Sequence, residues 1–368
     1  MKIGVLTVPF NNNYGGYLQT YALMNVLKSF NCDVELIYRR NNKIRFNALL
    51  MGFVKNCIKF CIGRDIISLF PNQEKAYTLK GGDMLSFVNK YISPKSRPFY
   101  NSKKMNQYIN ENYDVVVVGS DQVWRPEYVS NIQDFFLCGV NSNVRKIAYA
   151  ASFGCSNPKY NEMERAVCGK SLKNFNAVGL RENSGPMVIK KMGWNCESKL
   201  VLDPTLLLTK NDYESILTKD PSLSMGKIFL YLLDKSNKKI VDMISENTNL
   251  GTYYIIDPDN WKSPSYKMPA VEDWLKGIRD AEMVLTDSFH GMVFAILFNK
   301  PFWVFVNKER GATRFQSLLS LLGLEKRMVS QEDFERCDWN DCINWDDVGK
   351  SLHLLRQNSF TFLQKALR

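Results

Sequence analysis

Short apolar runs alternate with helix-sized stretches along the first half of the chain. Six runs predict strands, at residues 2–8, 34–38, 114–118, 146–150, 177–180 and 199–202. The four consecutive valines at residues 115–118 give the strongest signal of a buried strand. A polar turn at residues 11–16 follows the first strand, and Leu18, Tyr21, Ala22 and Val26 then recur at helical spacing. The chain therefore opens with a strand, a loop and a helix at residues 17–30.

The pattern restarts after Asp203-Pro204. Four further β-rich runs, at residues 228–233, 253–256, 283–286 and 302–306, are separated by helix-sized stretches, which is typical of a second parallel α/β sheet. No fixed-period repeat connects the two halves. We predict an α/β protein with Rossmann-like domains at residues 1–190 and 191–335. A helical segment at residues 336–368 is expected to pack back on the first domain.

Residues 46–62 form an apolar stretch with two interpretations. Lys55, Asn56 and Lys59 interrupt it, and it is shorter than the roughly 20 apolar residues that a membrane span needs. It is either a helix or loop packed on the first domain or an interfacial helix, since the main basic cluster, residues 39–64, surrounds it. The second interpretation predicts peripheral contact with an anionic membrane.

Composition restricts the class of protein and of partner. With 368 residues, 45% hydrophobic and 23% charged, the chain has the size and make-up of a folded two-domain protein. Nine scattered cysteines without a CxxC pair favour a reducing compartment, and the absence of a leader pattern at the N-terminus agrees with the cytoplasm as the expected location. The net charge of +11 favours anionic partners, but its spread along the chain argues against nucleic acid.

The loop before the first helix is the first candidate site. Asn13, Tyr14, Gly15, Gly16 and Gln19 lie where a strand passes into a helix. Glycines allow a ligand close to the backbone, and the free N–H groups of a helix start attract phosphate or carboxylate. The segment matches neither GxGxxG nor GxxxxGK[ST], so a plain tight turn is the alternative.

Two more candidates follow strands of the first sheet. Asp121 comes after the valine strand, at the end where parallel strands open into ligand crevices. Its carboxylate can accept a proton or hold a sugar hydroxyl, and Trp124 can stack on a sugar ring; the alternative is a capping Asp and a core Trp. Arg181 follows a later strand and can fork onto a carboxylate or phosphate, or pair with Glu182 on the surface.

The fourth candidate is the junction around His290, one of two histidines in the chain. Ser288, Phe289, His290 and Gly291 follow an apolar strand and precede a helix-like run, which favours a functional histidine over a core one. We expect no metal, because the sequence has no HExxH motif or Cys/His quartet. A Ser–His–Asp hydrolase is also disfavoured, because no GxSxG elbow is present.

Together these motifs resemble the polysaccharide pyruvyl transferase family, with matching order and spacing from about residue 3 to about residue 310. The matching segments are Asn13-Tyr14-Gly15-Gly16-Tyr17-Leu18-Gln19-Thr20, Gly119-Ser120-Asp121-Gln122-Val123-Trp124, Arg181-Glu182, Asp203-Pro204-Thr205 and Ser288-Phe289-His290-Gly291. The resemblance implies a fold like that of the GT-B glycosyltransferases, with two Rossmann-like domains facing across a cleft.

The resemblance also implies a reaction. Family members transfer a pyruvyl group from phosphoenolpyruvate to two hydroxyls of a sugar in a bacterial surface polysaccharide or exopolysaccharide, or its lipid- or nucleotide-linked precursor, forming a ketal without a further cofactor. His290, Asp121 and Arg181 are then the expected catalytic residues, with the acceptor on the N-terminal domain and the donor on the C-terminal one. Some members carry Arg two residues before the motif histidine, where this chain has Ser288. That departure shifts donor binding to Arg181 or another base such as Arg314.

Two other functions stay open on the sequence alone. A GT-B glycosyltransferase would use a nucleotide sugar, so thermal stabilisation by a nucleoside diphosphate rather than by phosphoenolpyruvate distinguishes it. A non-catalytic glycan- or phosphate-binding protein of the same fold would release no inorganic phosphate when an acceptor is present.

Overall fold

Two parallel sheets with helices on their faces make up the chain. The computed structural model describes residues 1–43, 46–233, 238–261, 263, 265–306, 312–330 and 337–368. The strands are β1 (Lys2–Leu6), β2 (Asp33–Leu36), β3 (Val115–Asp121), β4 (Arg145–Ala151), β5 (Ala177–Leu180), β6 (Lys199–Leu200), β7 (Lys227–Tyr231), β8 (Gly251–Tyr254), β9 (Met283–Thr286), β10 (Phe302–Phe305) and β11 (Met328–Val329). The helices are α1 (Tyr14–Ser29), α2 (Phe46–Cys61), α3 (Gln73–Gly81), α4 (Met84–Tyr91), α5 (Ser102–Asn112), α6 (Ile132–Phe135), α7 (Glu162–Leu172), α8 (Gly185–Lys191), α9 (Lys210–Glu214), α10 (Lys238–Thr248), α11 (Val271–Asp280), α12 (Phe289–Leu297), α13 (Thr313–Leu322) and α14 (Trp345–Leu367).

The first sheet has the strand order β2-β1-β3-β4-β5-β6, with all neighbours parallel. It contains the six strands predicted for the first half. Every residue of β3 is buried, because a parallel sheet covered on both faces needs apolar side chains on both sides of the strand. Since β6 pairs with β5, this sheet continues past residue 190, where the sequence placed the end of the first domain.

The second sheet has the order β11-β10-β9-β7-β8, again with parallel neighbours. Four of its strands were predicted, and the two-residue β11 is too short to leave a sequence pattern. The two parallel-sheet domains confirm the predicted fold class. The predicted boundary between residues 335 and 336 lies outside the described residues.

Each sheet contains a point where the strand order reverses, between β1 and β3 in the first and between β7 and β9 in the second. The loops that follow two such strands leave in opposite directions and open a crevice at their carboxyl ends. All four motifs singled out in the sequence follow strands of these sheets, at β1, β3, β5 and β9. The topology therefore concentrates polar loops at two facing crevices.

Helices α1 and α12 hold the two halves together. Tyr14 in the first turn of α1 donates a hydrogen bond to the carbonyl of Pro269 at 3.0 Å, and its ring stacks on Trp274 of α11 at 5.3 Å. The largest apolar core runs continuously from the first half into the second. Because both helices begin at the cleft, this packing fixes the relative position of the loops that precede them.

The C-terminal helix α14 contacts the first sheet. Ser359 accepts a hydrogen bond from the backbone N–H of Leu202 at 3.0 Å, and Arg145 donates one to the carbonyl of Ala366 at 3.4 Å. The chain thus ends on the half in which it began.

Helix α2 contacts the segment at residues 68–71, which follows it in the chain. Phe53 stacks on Phe70 at 4.4 Å, and Asn56 bonds to the carbonyls of Ser68 and Leu69. No residue of α2 is fully buried. In the part of the chain that the structure describes, no helix has the length and apolar character to cross a bilayer.

Candidate functional site

A cavity of about 250 Å³ lies where the two strand-order reversals face each other. We call it the switch-point cavity. One wall comes from the loops after β1 and β3, and the other from the loops after β7 and β9 together with the start of α13. Its lining residues are Val8, Pro9, Phe10, Asn11, Asn13, Gly16, Asp121, Gln122, Tyr128, Leu233, Asp287, Ser288, Phe289, His290, Arg314 and Phe315.

His290 lies in the first turn of α12, largely buried, at the wall of this cavity. Ser288 caps the helix by accepting a hydrogen bond from the N–H of Gly291. Gly15 of α1 packs directly against the imidazole, because a Cβ atom built there would lie 2.0 Å from Nδ1 of His290. The glycine of the first motif thus makes room for the histidine of the fourth.

Beneath His290, one guanidinium joins two carboxylates. Arg181 donates from Nη1 to Asp203 and from Nη2 to Asp121, both at 2.9 Å. Asp203 also lies 3.6 Å from Nε2 of His290 and accepts hydrogen bonds on its other oxygen from Thr205. Asp203 is therefore close enough to stabilise a positive charge on the imidazole and to orient the ring.

Nearby charges have a larger effect than burial on the pKa values of the two carboxyl groups in this network. Burial alone would raise the pKa of the Asp203 carboxyl, but His290, Arg181 and the Thr205 hydrogen bond together hold that pKa well below its usual range. The pKa of Asp121 is lowered in the same way, with burial opposed by the charges of Arg181, His290 and Arg314. Both carboxylates are therefore ionised at neutral pH.

Arg314 is the cation that faces the cavity. Its Nη1 lies 4.0 Å from Asp121, and its buried Nε has no hydrogen-bond partner. Burial and the nearby charge of Arg181 lower the pKa of Arg314 to about 10. Asp121 offsets the charge of Arg314 only in part, because the same carboxylate also pairs with Arg181 at 2.9 Å, so an anion in the cavity would be stabilised by Arg314.

Arg181 itself takes another position than the sequence suggested. It does not line the cavity; both carboxylates occupy its guanidinium, and the ring of Phe289 lies 4.7 Å from its Cζ. That it grips the donor anion directly stays a prediction; in the structure its two terminal nitrogens bind Asp121 and Asp203. The structure supports Arg314, the alternative base, for contact with an anion.

Trp124 is also placed differently. Its indole is fully buried, stacks on Phe136 at 4.9 Å and donates from Nε1 to the carbonyl of Phe135 at 3.0 Å. Stacking on a sugar would require this packing to open, so Trp124 belongs to the core, as the alternative interpretation had it. Its neighbour Asp121, with a left-handed backbone φ of 72°, does line the cavity.

The remaining predicted residues divide between the wall and its support. Asn13, Gly16, Ser288, Phe289 and Arg314 line the cavity with Asp121 and His290. Gln19 is fully buried and accepts hydrogen bonds from the backbone and the hydroxyl of Ser120, at 3.0 and 2.8 Å. Tyr14 connects the two halves of the chain through its hydrogen bond to Pro269. Gly291 allows α12 to pack closely on Thr286. Behind the cavity wall, four predicted residues therefore have supporting positions: Tyr14, Gln19, Ser120 and Gly291.

Sequence reasoning missed the part played by Asp203. The only signal was the motif Asp203-Pro204-Thr205, and nothing local showed that it reaches His290. Asp287 was not assigned a role either; it lines the cavity and accepts a hydrogen bond from the N–H of Leu233 at 2.8 Å. Across the described ranges, no group of three or more His, Cys, Asp or Glu side chains is arranged to hold a metal ion.

Comparison with known proteins identifies the family and the fold. The family model for polysaccharide pyruvyl transferase matches residues 13–309. S. aureus MnaA, solved with UDP, superposes with a TM-score of 0.52 at 13% identity, covering 98% of this chain and 91% of that one. A putative UDP-N-acetylglucosamine 2-epimerase from Listeria monocytogenes gives 0.51 at 13% identity, covering 99% and 91%. No curated protein matches the chain. At this identity the structural neighbours show a shared GT-B-like fold.

Proposed function

Because the chain belongs to the polysaccharide pyruvyl transferase family, we propose that it moves a pyruvyl group from phosphoenolpyruvate to two hydroxyls of a sugar, forming a ketal. The observation that carries this proposal is that His290 and Arg314 line the same cavity at the cleft. The donor needs a proton source beside an anion site, and these two side chains offer both.

In the proposed reaction His290 is the general acid. It gives a proton to the methylene carbon of phosphoenolpyruvate, which becomes a methyl group while positive charge develops at the adjacent carbon. One sugar hydroxyl bonds to that carbon and loses its proton, which returns to His290. The C–O bond to phosphate then breaks, and the second hydroxyl bonds to the same carbon. Its proton leaves with hydrogen phosphate, so one phosphoenolpyruvate and one diol give one ketal and one phosphate.

Asp203 supports this role of His290. The Asp203 carboxylate lies 3.6 Å from Nε2 and can orient the imidazole, and Arg181 holds that carboxylate in place. Gly15 packs against the other side of the ring. The imidazole is therefore held between α1 and Asp203, and a fixed ring orientation favours proton transfer to a bound donor.

A direct test of the whole proposal follows release of phosphate. The protein, phosphoenolpyruvate and a panel of lipid-linked and nucleotide-linked sugars are incubated, and products are searched by mass for an added pyruvate ketal. Phosphate release that depends on an acceptor, with the matching mass, supports the proposal. Turnover of a nucleotide sugar without phosphoenolpyruvate would instead support a glycosyltransferase.

We expect Arg314→Lys to weaken phosphoenolpyruvate binding by about 1–3 kcal/mol, the range of a charge-assisted hydrogen bond. Lysine keeps the charge but cannot present two parallel N–H groups to a phosphate or carboxylate. Titration calorimetry measures the dissociation constant. Arg97→Lys is the matched control, because Arg97 is exposed and does not line this cavity. Equal affinity in wild type and Arg314→Lys would remove Arg314 from the donor site.

We also propose that α2 rests on an anionic membrane surface. Apolar side chains of this helix are open to solvent, including Phe46, Leu50, Met51, Val54 and Ile58. No acidic residue lies between Arg39 and Arg64. Apolar side chains enter the headgroup boundary while the surrounding cations attract anionic lipid, which is the physical basis of interfacial helices.

Met51→Glu is expected to abolish flotation with phosphatidylglycerol liposomes at low salt, because it places a negative charge on the apolar face. Met163→Glu is the control, since Met51 and Met163 are comparably exposed, at 68% and 63%, and Met163 belongs to α7 instead. Wild-type protein should float with the anionic lipid and not with phosphatidylcholine. Equal flotation on both lipids, or with the Met51→Glu protein, would leave α2 without this role.

A further inference from the structure

A larger cavity, of about 500 Å³, adjoins the switch-point cavity. We call it the side cavity. This volume falls within the roughly 300–1,000 Å³ of small-molecule sites. Its wall combines aromatic and cationic side chains, among them Arg40, Tyr77, Lys80, Tyr100 and Trp261, with Glu74 as its carboxylate. None of these residues took part in the chemistry described above.

The two cations of the side cavity are held against aromatic rings. The guanidinium of Arg40 lies 4.3 Å from the Tyr77 ring and bonds to the Tyr38 hydroxyl at 2.9 Å, while Glu74 is 3.8 Å away. Lys80 lies 5.2 Å from the Trp261 ring. Burial lowers the pKa of Lys80, because its ammonium group has lost part of its hydration. An anion entering the cavity would restore that lost stabilisation.

Glu74 does not cancel these cations. Its carboxylate accepts a hydrogen bond from the Tyr100 hydroxyl at 2.6 Å and contacts Arg40 only at 3.8 Å. Its side chain is largely exposed, so water screens its charge. Two cations and one screened carboxylate leave the cavity suited to an anionic ligand.

The side cavity shares a wall with the reaction centre. Pro9, Phe10, Asn11, Asn13 and Leu233 line both cavities. A ligand that contacts Arg40 and Lys80 would therefore lie beside residues that also line the cavity of His290. The aromatic rings provide flat apolar surfaces of the kind on which sugar rings rest.

We propose that the side cavity binds the acceptor as a sugar diphosphate, with the diphosphate at Arg40 and Lys80 and the sugar directed toward the shared wall. This inference rests on the proposed function for the identity of the reaction, but the binding site itself is tested separately. The same chemistry occurs in lipid-linked and nucleotide-linked sugars. A lipid tail would leave near α2, because α3, which carries Tyr77 and Lys80, follows the segment whose Phe70 stacks on Phe53.

Titration calorimetry with two simple probes, geranyl diphosphate and UDP, tests the proposal. We expect wild-type protein to bind at least one of them, and Lys80→Gln to weaken that binding about tenfold or more. Tighter binding of geranyl diphosphate indicates a lipid-linked acceptor, and tighter binding of UDP a nucleotide-linked one. Saturating phosphoenolpyruvate should not displace the probe, because the donor occupies the other cavity.

Lys90→Gln is the matched control, because Lys90 also lies over an aromatic ring, that of Tyr91 at 4.8 Å, but lines neither cavity. Thermal unfolding confirms that both variants fold. If neither diphosphate binds wild-type protein, or Lys80→Gln binds as wild type does, the proposal is overturned. If the diphosphate binds while phosphoenolpyruvate does not, the donor assignment fails and the diphosphate site stands.

Discussion

Replacing His290 with alanine is expected to lower kcat for pyruvyl transfer by about 10²–10⁴-fold, the usual contribution of a positioned acid or base. The imidazole borders the switch-point cavity, beside the carboxylate of Asp203 and against Gly15. Alanine removes the proton donor without adding bulk, so the protein should still fold. Phosphate release at saturating phosphoenolpyruvate and acceptor measures the effect.

Two further variants define what His290 does. His290→Gln can donate a hydrogen bond but cannot transfer a proton, so a loss as deep as that of alanine supports acid catalysis. Near-normal turnover would mean that the side chain only positions phosphate. His353→Ala is the control, because the other histidine is exposed on α14 and contacts Gln357. Normal turnover in both His290 variants would refute the mechanism.

Arg181→Met is expected to destabilise the protein by about 3–5 kcal/mol, because it leaves buried carboxylates without their cation. Arg181 donates to Asp121 and Asp203 at 2.9 Å each, and all three side chains are buried. Denaturant unfolding at pH 7 to 8 measures the loss. The double variant Arg181→Met/Asp121→Asn should recover part of it, since one unpaired charge is then removed.

Lys350→Met is the control for this experiment. Lys350 pairs with Asp347 at 3.1 Å, and both side chains are mostly exposed, where ion pairs contribute only about 0–1 kcal/mol. If Arg181→Met lowers the free energy of unfolding by no more than this control variant does, the buried network does not stabilise the fold.

The pH dependence of stability provides a second readout on Arg181. In the wild type the pKa values of Asp121 and Asp203 are below their usual range. Their contribution to stability is therefore complete above the ordinary carboxyl pKa and is lost as pH falls toward the lowered values. In Arg181→Met, protonation of the unpaired carboxylates stabilises the folded protein. The difference in free energy of unfolding between wild type and this variant should therefore become smaller from pH 8 to pH 5. A constant difference would contradict the electrostatic explanation.

Local patterns determined most of the fold. Ten of the strands follow from short apolar runs, since a strand covered on both faces must be apolar at every position, as residues 115–118 are. The site at His290 was also predicted locally, because polar residues gather where β9 passes into α12. These features depend on neighbours within a few residues, so the order of amino acids is enough to reveal them.

Tertiary structure alone decided which polar residues meet. Arg181 could grip a ligand or pair internally, and only the fold brings Asp121 and Asp203 to its two nitrogens from 60 and 22 residues away. Trp124 could face the cleft or the core, and the choice depends on Phe136 and on the segment that covers it. A side chain's burial and its charge partners depend on distant segments, whose placement no local pattern records. Local patterns therefore predict the sheets and the loops that border the cleft, whereas packing between remote elements places Arg314 at the cavity wall and Arg181 beneath it.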